Sequence, residues 1–239
     1  MSEQKENQVK RVPVGVDGLD EMIAGGVPKK STLCVLGNAG TGKTTLGMQF
    51  VKEALQEGEK AVFFTLEEFP GSVLQTADMK GWNFTKHYDD GDLAVVHMDP
   101  IEVSMTIRNI TDELPRMIKK FGASRVVIDS VTLIEKMFED NAEGRTKIHR
   151  FMKRLNQAGT TTMVTSEASS MDAYTSKFGN IEYLADGVFS LRYVRTENTN
   201  ETRLALEVLK IRNTEHSRNV RPYDLTDSGI KVHSTASIF

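Results

Sequence analysis

A chain of 239 residues with 39% hydrophobic and 26% charged side chains carries enough apolar material for one full core, either a single domain or a domain with a small appendage. Its formal charge of −3 excludes a general attraction to nucleic acid or anionic membrane, so any such binding has to come from a local patch. One cysteine, Cys34, excludes an internal disulfide, no apolar run reaches transmembrane length, and MSEQKENQVKR lacks a signal-peptide core, so the expected location is the cytoplasm.

Residues 1–10 read as a disordered tail, 11–233 as one domain, and 234–239 as a C-terminal tail. That tail, STASIF, ends in two apolar residues, either a docking peptide or a frayed end. Apolar runs predict strands at 31–37, 60–66, 92–98, 124–130 and 161–166. Helical stretches at 43–57, 71–80, 104–120 and 142–157 lie between them. Buried strands alternating with helices imply an α/β fold with a mainly parallel sheet covered on both faces. After residue 185 the helices stop, and DGVFSLRYVR, RLALEVLKIR and VRPYDLTDSGIKVH read as antiparallel strands joined by polar turns such as TENTN.

The first chemical signal in chain order is GNAGTGKT, which fits G-x-x-x-x-G-K-[ST] with a strand before it and a helix after it. Gly37, Asn38, Ala39, Gly40, Thr41, Gly42, Lys43 and Thr44, with the adjoining Thr45, form the candidate nucleotide loop. Such a loop wraps phosphate oxygens in backbone N–H groups, and the following helix adds the positive end of its dipole. Lys43 is expected on the β and γ phosphates, and the Thr44 hydroxyl on Mg²⁺. A chance match is rare, and the strand–loop–helix context makes it rarer.

FFTLEEFPG ends an apolar strand in two carboxylates, Glu67 and Glu68. Neighbouring strand residues point to opposite faces, so only one can meet a water over the terminal phosphate. The competing reading is a solvated acidic strand end. In a parallel sheet, however, the carboxyl ends of the strands line the ligand crevice. Further on, RVVIDS ends in Asp129, where a phosphate-loop enzyme holds its metal-binding acid.

Trp82 in KGWNF is either an adenine neighbour or, more commonly for a lone Trp, core. EGRTKIHRFMKRL places Arg145, Lys147, Arg150, Lys153 and Arg154 on a helix with an apolar stripe of Ile148, Phe151, Met152 and Leu155. A basic face of this kind is more often solvated or a subunit contact than a nucleic-acid surface. The five histidines show no metal-ligand spacing. In LALEVLKIRNTEH, strand alternation puts Leu204, Leu206, Val208, Lys210 and Arg212 in one row, an apolar row that runs into two cations.

Taken in order, VPVGVDGLDEMIAGGVPKKST, GNAGTGKTT, FFTLEE, VVIDSVT, TTMVTSE, LADGVFSLRY and LEVLKIRNTEH…YDLTDSGIKV resemble one ATPase domain of the KaiC family, close to the RadA/RecA group. The resemblance covers Val12 to Val232 and is to single-domain archaeal KaiC-like proteins rather than to the two-domain clock ATPase. It implies a RecA-like P-loop fold, ATP with Mg²⁺, and a homo-oligomeric ring, a hexamer in the family, with nucleotide at the subunit interfaces. It further implies that Glu67 is the catalytic glutamate and Glu68 its neighbour. Lys210 and Arg212 match the basic pair that reaches the adjacent subunit's phosphates, and His216 a residue near the nucleotide across that interface. On this reading Arg212 is an arginine finger acting in trans. Edge-strand charges that discourage aggregation are the competing account.

Two departures stand out. Where the clock protein's second domain has its phosphorylated Ser and Thr, this chain has Glu182 and Tyr183, so autophosphorylation there is not expected. No N-terminal DNA-binding helical domain of the RadA kind is seen, so strand exchange is not expected either. The resulting expectation is slow ATP hydrolysis coupled to an unidentified regulatory protein partner, with no membrane association and nucleic acid not favoured. A nucleotide-gated scaffold and a recombination accessory protein are the alternatives.

Overall fold

The computed structural model describes residues 10–99, 113–136, 141–195 and 201–238, with backbone alone for 141–145. Residues 1–9 of the expected tail, residues 104–112 of the third expected helix and the TENTN turn fall outside the described residues.

Nine strands form one sheet in the order β11-β10-β9-β8-β3-β7-β6-β4-β5. In chain order these are β3 (Thr32–Gly37), β4 (Lys60–Thr65), β5 (Leu93–His97), β6 (Ala123–Asp129), β7 (Thr161–Glu167), β8 (Gly187–Arg195), β9 (Thr202–Ile211), β10 (Arg221–Thr226) and β11 (Gly229–Val232). Two further strands, β1 (Arg11–Val12) and β2 (Val27–Pro28), pair with each other outside this sheet. The helices are α1 (Leu19–Met22), α2 (Lys43–Gln56), α3 (Pro70–Met79), α4 (Phe84–Asp89), α5 (residues 113–121), α6 (Val131–Lys136), α7 (Asn141–Gln157) and α8 (Ile181–Leu184).

The five predicted strands of the parallel region are present, and their neighbours run parallel. The expectation that everything after residue 185 is antiparallel is corrected at β8, which runs parallel to β3 on one side and antiparallel to β9 on the other. Only β9, β10 and β11 make the antiparallel extension. The sequence gives no warning, because β8 is a buried apolar run whichever direction its neighbour takes.

Strand alternation sorts the core into two layers. Leu33 and Val35 of β3 face one layer with Leu46, Phe50 and Phe63, while Cys34 and Leu36 face the other with Leu114, Ile118, Phe151 and Leu155. The first layer carries α2, α3 and α4 and the second α5 to α8, so the central strands are buried on both sides. Each large side chain taken fully out of water there contributes about 1.5–3 kcal/mol. Trp82 lies in the first layer, 8% exposed and 6.1 Å from Phe84, so it packs as core. The C-terminal tail is docked at Ile238, which is buried, and Arg221 Nη1 donates to Ala236 O at 2.7 Å.

The amino end of β6 is fixed by Arg125, which is fully buried. Its guanidinium pairs with Glu57 and Glu59, donates to Pro13 O at 2.7 Å, and lies 5.0 Å from the Phe50 ring. This contact ties β6 to α2 and to the segment before α1, and so helps set where Asp129, at the other end of β6, meets the start of α2.

Candidate nucleotide site

β3 delivers Gly37 to the carboxyl end of the sheet, the chain turns through Asn38–Gly42, and α2 starts at Lys43. Gly40 and Gly42 have φ of 78° and 88°, in the left-handed region that favours glycine. Both are also closely approached: a Cβ at Gly40 would lie 2.7 Å from Tyr193 Oη, and one at Gly42 2.6 Å from Leu225 Cδ2, so those side chains would have to shift. Tyr223 Oη donates to Thr41 O at 2.6 Å, so β8 and β10 wall the loop. The helix has no side-chain cap at Gly42. Its first-turn N–H groups and dipole therefore form the start of an anion cradle. Lys43 Nζ donates to Asn38 O at 3.1 Å, which folds the ammonium back over the loop. Burial lowers its pKa, and the carboxylates of Asp129, Glu167 and Glu67 oppose that shift. A phosphate chain suits this donor set.

Beside the loop, Thr44 Oγ1 donates to Asp129 Oδ2 at 2.7 Å, and the Thr165 hydroxyl donates to Asp129 Oδ1. α2, β6 and β7 thus meet at one carboxylate. A hydroxyl and a carboxylate so close together form an oxygen-only set, the kind a hard divalent cation such as Mg²⁺ takes. The Asp129–Ser130 peptide is cis.

β4 ends next to β6, and Leu66 N donates to Asp129 O at 2.8 Å. The Thr65 hydroxyl accepts from Glu68 N and donates to Glu68 O, both at 2.9 Å, while His97 Nδ1 lies 3.1 Å from the same carbonyl. This turn leaves the Glu67 side chain exposed, with Oε1 accepting from Ser130 Oγ at 3.1 Å. Glu68 is half-buried, and burial, then the Asp129 and Glu67 carboxylates, raises its pKa. The two neighbours therefore differ: Glu67 is exposed and held beside Asp129 through Ser130, while Glu68 is half-buried in the turn.

Glu167 was missed in the sequence reading. It ends β7 in register with Gly37, acts on Lys43, and pairs with Lys177 at 2.5 Å. The available signal was the one used for Asp129, an acid closing a buried strand.

Lys210, Arg212 and His216 lie elsewhere. The expected single row from Leu204 to Arg212 is corrected by a β-bulge: Phe189 pairs with Val208 but Val188 pairs with Lys210, leaving Leu209 as an extra residue. Leu204, Leu206 and Val208 therefore pack in the first layer, while Lys210 sits across from Val188, a residue of the second layer. Burial and the neighbouring Arg212 lower the Lys210 pKa. Arg212 Nη2 donates to Tyr183 O at 3.2 Å, and Nη1 lies 3.6 Å from Asp186 Oδ1. Asp186 also accepts from Thr32 N at 2.9 Å, at the amino end of β3. The phosphate loop begins at the other end of that strand, roughly 17 Å away for five residues of rise. His216 has Nδ1 3.0 Å from Ser217 O, and Ser217 N donates to Met22 O at 2.8 Å, next to α1. Near Arg212, Glu182 is buried and accepts from Ser176 Oγ at 2.5 Å, and Tyr183 is 60% exposed.

A family model described as the KaiC ATPase matches residues 12–237. The circadian clock oscillator protein KaiC of Nostoc sp. is 31% identical over 233 residues, which are 95% of this chain and 44% of that protein. The KaiC of Synechococcus elongatus is 31% identical over 224 residues, 91% of this chain and 43% of that protein. The chain spans about half the length of these curated relatives. A crystal structure of a KaiC-like protein from the archaeon Pyrococcus horikoshii OT3 is similar at a TM-score of 0.83 and 33% identity, covering 95% of this chain and 100% of that one.

Proposed function

The chain belongs to the KaiC family of ATPases, and from that premise we propose that it binds ATP with Mg²⁺ at Gly37–Thr45 and hydrolyses it slowly in a cytoplasmic homo-oligomeric ring. The observation that carries this reading is the 2.7 Å bond between Thr44 and Asp129 at the mouth of the phosphate loop, with Glu67 held beside it through Ser130. The loop N–H groups and Lys43 hold the phosphates and balance their charge. Thr44 and Asp129 hold the Mg²⁺, which when bound neutralises charge on the phosphate oxygens. Glu67 orients a water and takes its proton as the water attacks the terminal phosphorus. Being exposed and held beside Asp129 by the Ser130 hydroxyl, it is the better placed of the two carboxylates for that role.

What supports the ring is the distance between Arg212 and its own phosphate loop. The position of Arg212 at the amino end of β3 puts it beyond that loop by more than one side chain can span. If Lys210, Arg212 and His216 serve a nucleotide, they serve that of a neighbouring copy, placing a fixed charge against the transferring phosphoryl group. Tyr183 and Asp186 would hold Arg212 in place until the neighbour docks. Such a ring couples nucleotide state to subunit contacts, and through them to a regulatory partner.

The test is steady-state ATP turnover with and without Mg²⁺ for the parent, Glu67→Gln and Glu68→Gln. Glu67→Gln should keep ATP affinity and lose about 10²–10⁴-fold in rate. Survival of turnover in Glu67→Gln with its loss in Glu68→Gln would transfer the base to Glu68. Full activity in both would leave hydrolysis without either carboxylate.

A further inference from the structure

The basic face of α7 is not used by the nucleotide site, and the structure gives it a neighbour. α5 and α7 both pack on the second core layer, through Leu114 and Ile118 of one and Ile148, Phe151 and Leu155 of the other. Between them runs a shallow groove of about 350 Å³ lined by Pro115, Arg116, Lys119, Arg154, Gln157 and Ala158. Arg116, Lys119 and Lys120 are exposed on α5, and Arg150 and Lys153 on α7. Over residues 113–121 and 141–157 the sequence has eight Lys and Arg against two Glu, a net of +6 in a chain whose total is −3, so the rest of the chain carries −9. Positive charge is thus concentrated in these two segments of an otherwise acidic protein.

We propose that the groove between α5 and α7 binds the phosphate backbone of duplex nucleic acid. Arg116 and Lys119 on one wall of the groove and Arg154 on the other are cations that a polyphosphate can meet, and the affinity comes from counterion release without base contacts. Two absences narrow the partner. A protein–protein interface has an apolar, aromatic core. Among the described residues of these two helices Met117 is the one exposed large hydrophobic side chain, and no Phe, Tyr or Trp is exposed. Single-strand binding relies on aromatic rings on which bases stack, and none is exposed among the described residues of these two helices. Arg and Lys alone fit a regular, stacked duplex read by its backbone, independent of sequence.

The experiment is fluorescence anisotropy of a short labelled DNA duplex titrated with the full-length protein over a range of salt. Binding should weaken linearly in log–log form with salt. Arg116→Glu/Lys119→Glu on α5 and, independently, Arg150→Glu/Arg154→Glu on α7, the second pair one turn apart with Arg154 in the groove wall, should each weaken it by about tenfold or more and reduce the slope by about 2. A control with the same change in net charge, Lys29→Glu/Lys86→Glu, should stay within about twofold, and ATP turnover should be unchanged in all three. The proposal is overturned if the parent does not bind duplex, or if the control weakens binding as much as the groove variants. Tighter binding to single strands than to duplex would also overturn it, as would binding only to phosphatidylserine vesicles.

Discussion

Lys43 is the residue on which nucleotide affinity should depend most. Its ammonium is folded onto Asn38 O and is surrounded by the Asp129, Glu167 and Glu67 carboxylates, so it is already placed for a polyanion. Replacing it by Ala removes a charge-assisted contact of about 1.5–3 kcal/mol, or roughly 10–150-fold in ATP affinity by calorimetric titration. Unchanged affinity would contradict the loop's role. A second residue, Glu135 on α6, makes a pH prediction. It is 4% exposed, neither carboxyl oxygen has a hydrogen-bond partner among the described residues, and burial and then Glu182 push its pKa to about 8. A raised carboxyl keeps its proton in the folded chain after the unfolded chain has lost it. Its contribution therefore falls as pH rises from the unfolded value of 4.5 to about 8 and is constant above that. Glu135→Gln cannot ionise, so at about pH 8 it should be more stable than the parent by more than about 1 kcal/mol, and most of that gain should vanish near pH 5. Thermal unfolding at the two pH values checks this, and an equal gain at both would refute it.

At the scale of elements, the parallel strands were legible because KAVFFT, RVVID and TTMVTS are apolar, β-rich runs of strand length, buried on both faces. The phosphate loop was legible because its glycines and Lys43 are adjacent in sequence. Two features were not. The direction of β8 depends on which strand it meets, and the bulge at Leu209 depends on cross-strand register, neither of which a single strand's alternation encodes. The same limit hid Arg125, which reads as a polar start to an apolar strand but is a fully buried hub for Glu57, Glu59 and the Pro13 carbonyl. Arg125→Ala leaves a cavity and two carboxylates without their partner, so stability should fall by roughly 3–5 kcal/mol in chemical denaturation. A loss below about 1 kcal/mol would mean that β6 and α2 are held together without it.

For the whole molecule, the candidate groups divide between two ends of one sheet. Lys43, Thr44, Asp129 and Glu67 cluster at the carboxyl ends of β3, β4 and β6, while Lys210 and Arg212 sit at the amino end of β3. Two half-sites that cannot meet within one chain can meet between copies, which is the central claim of the proposed ring. The direct measurement mixes two inactive variants. Arg212→Ala keeps an intact loop and Glu67, Glu67→Gln keeps an intact Arg212, and each alone should bind ATP yet hydrolyse it poorly, the Arg212 variant by at most about 10³–10⁵-fold. Once ATP-dependent assembly and subunit exchange are established, mixtures should regain turnover, with a maximum at intermediate ratios where an intact Glu67 faces an intact Arg212. Mixtures that stay inactive at every ratio would contradict shared sites and return Lys210 and Arg212 to the role of charges guarding a strand end.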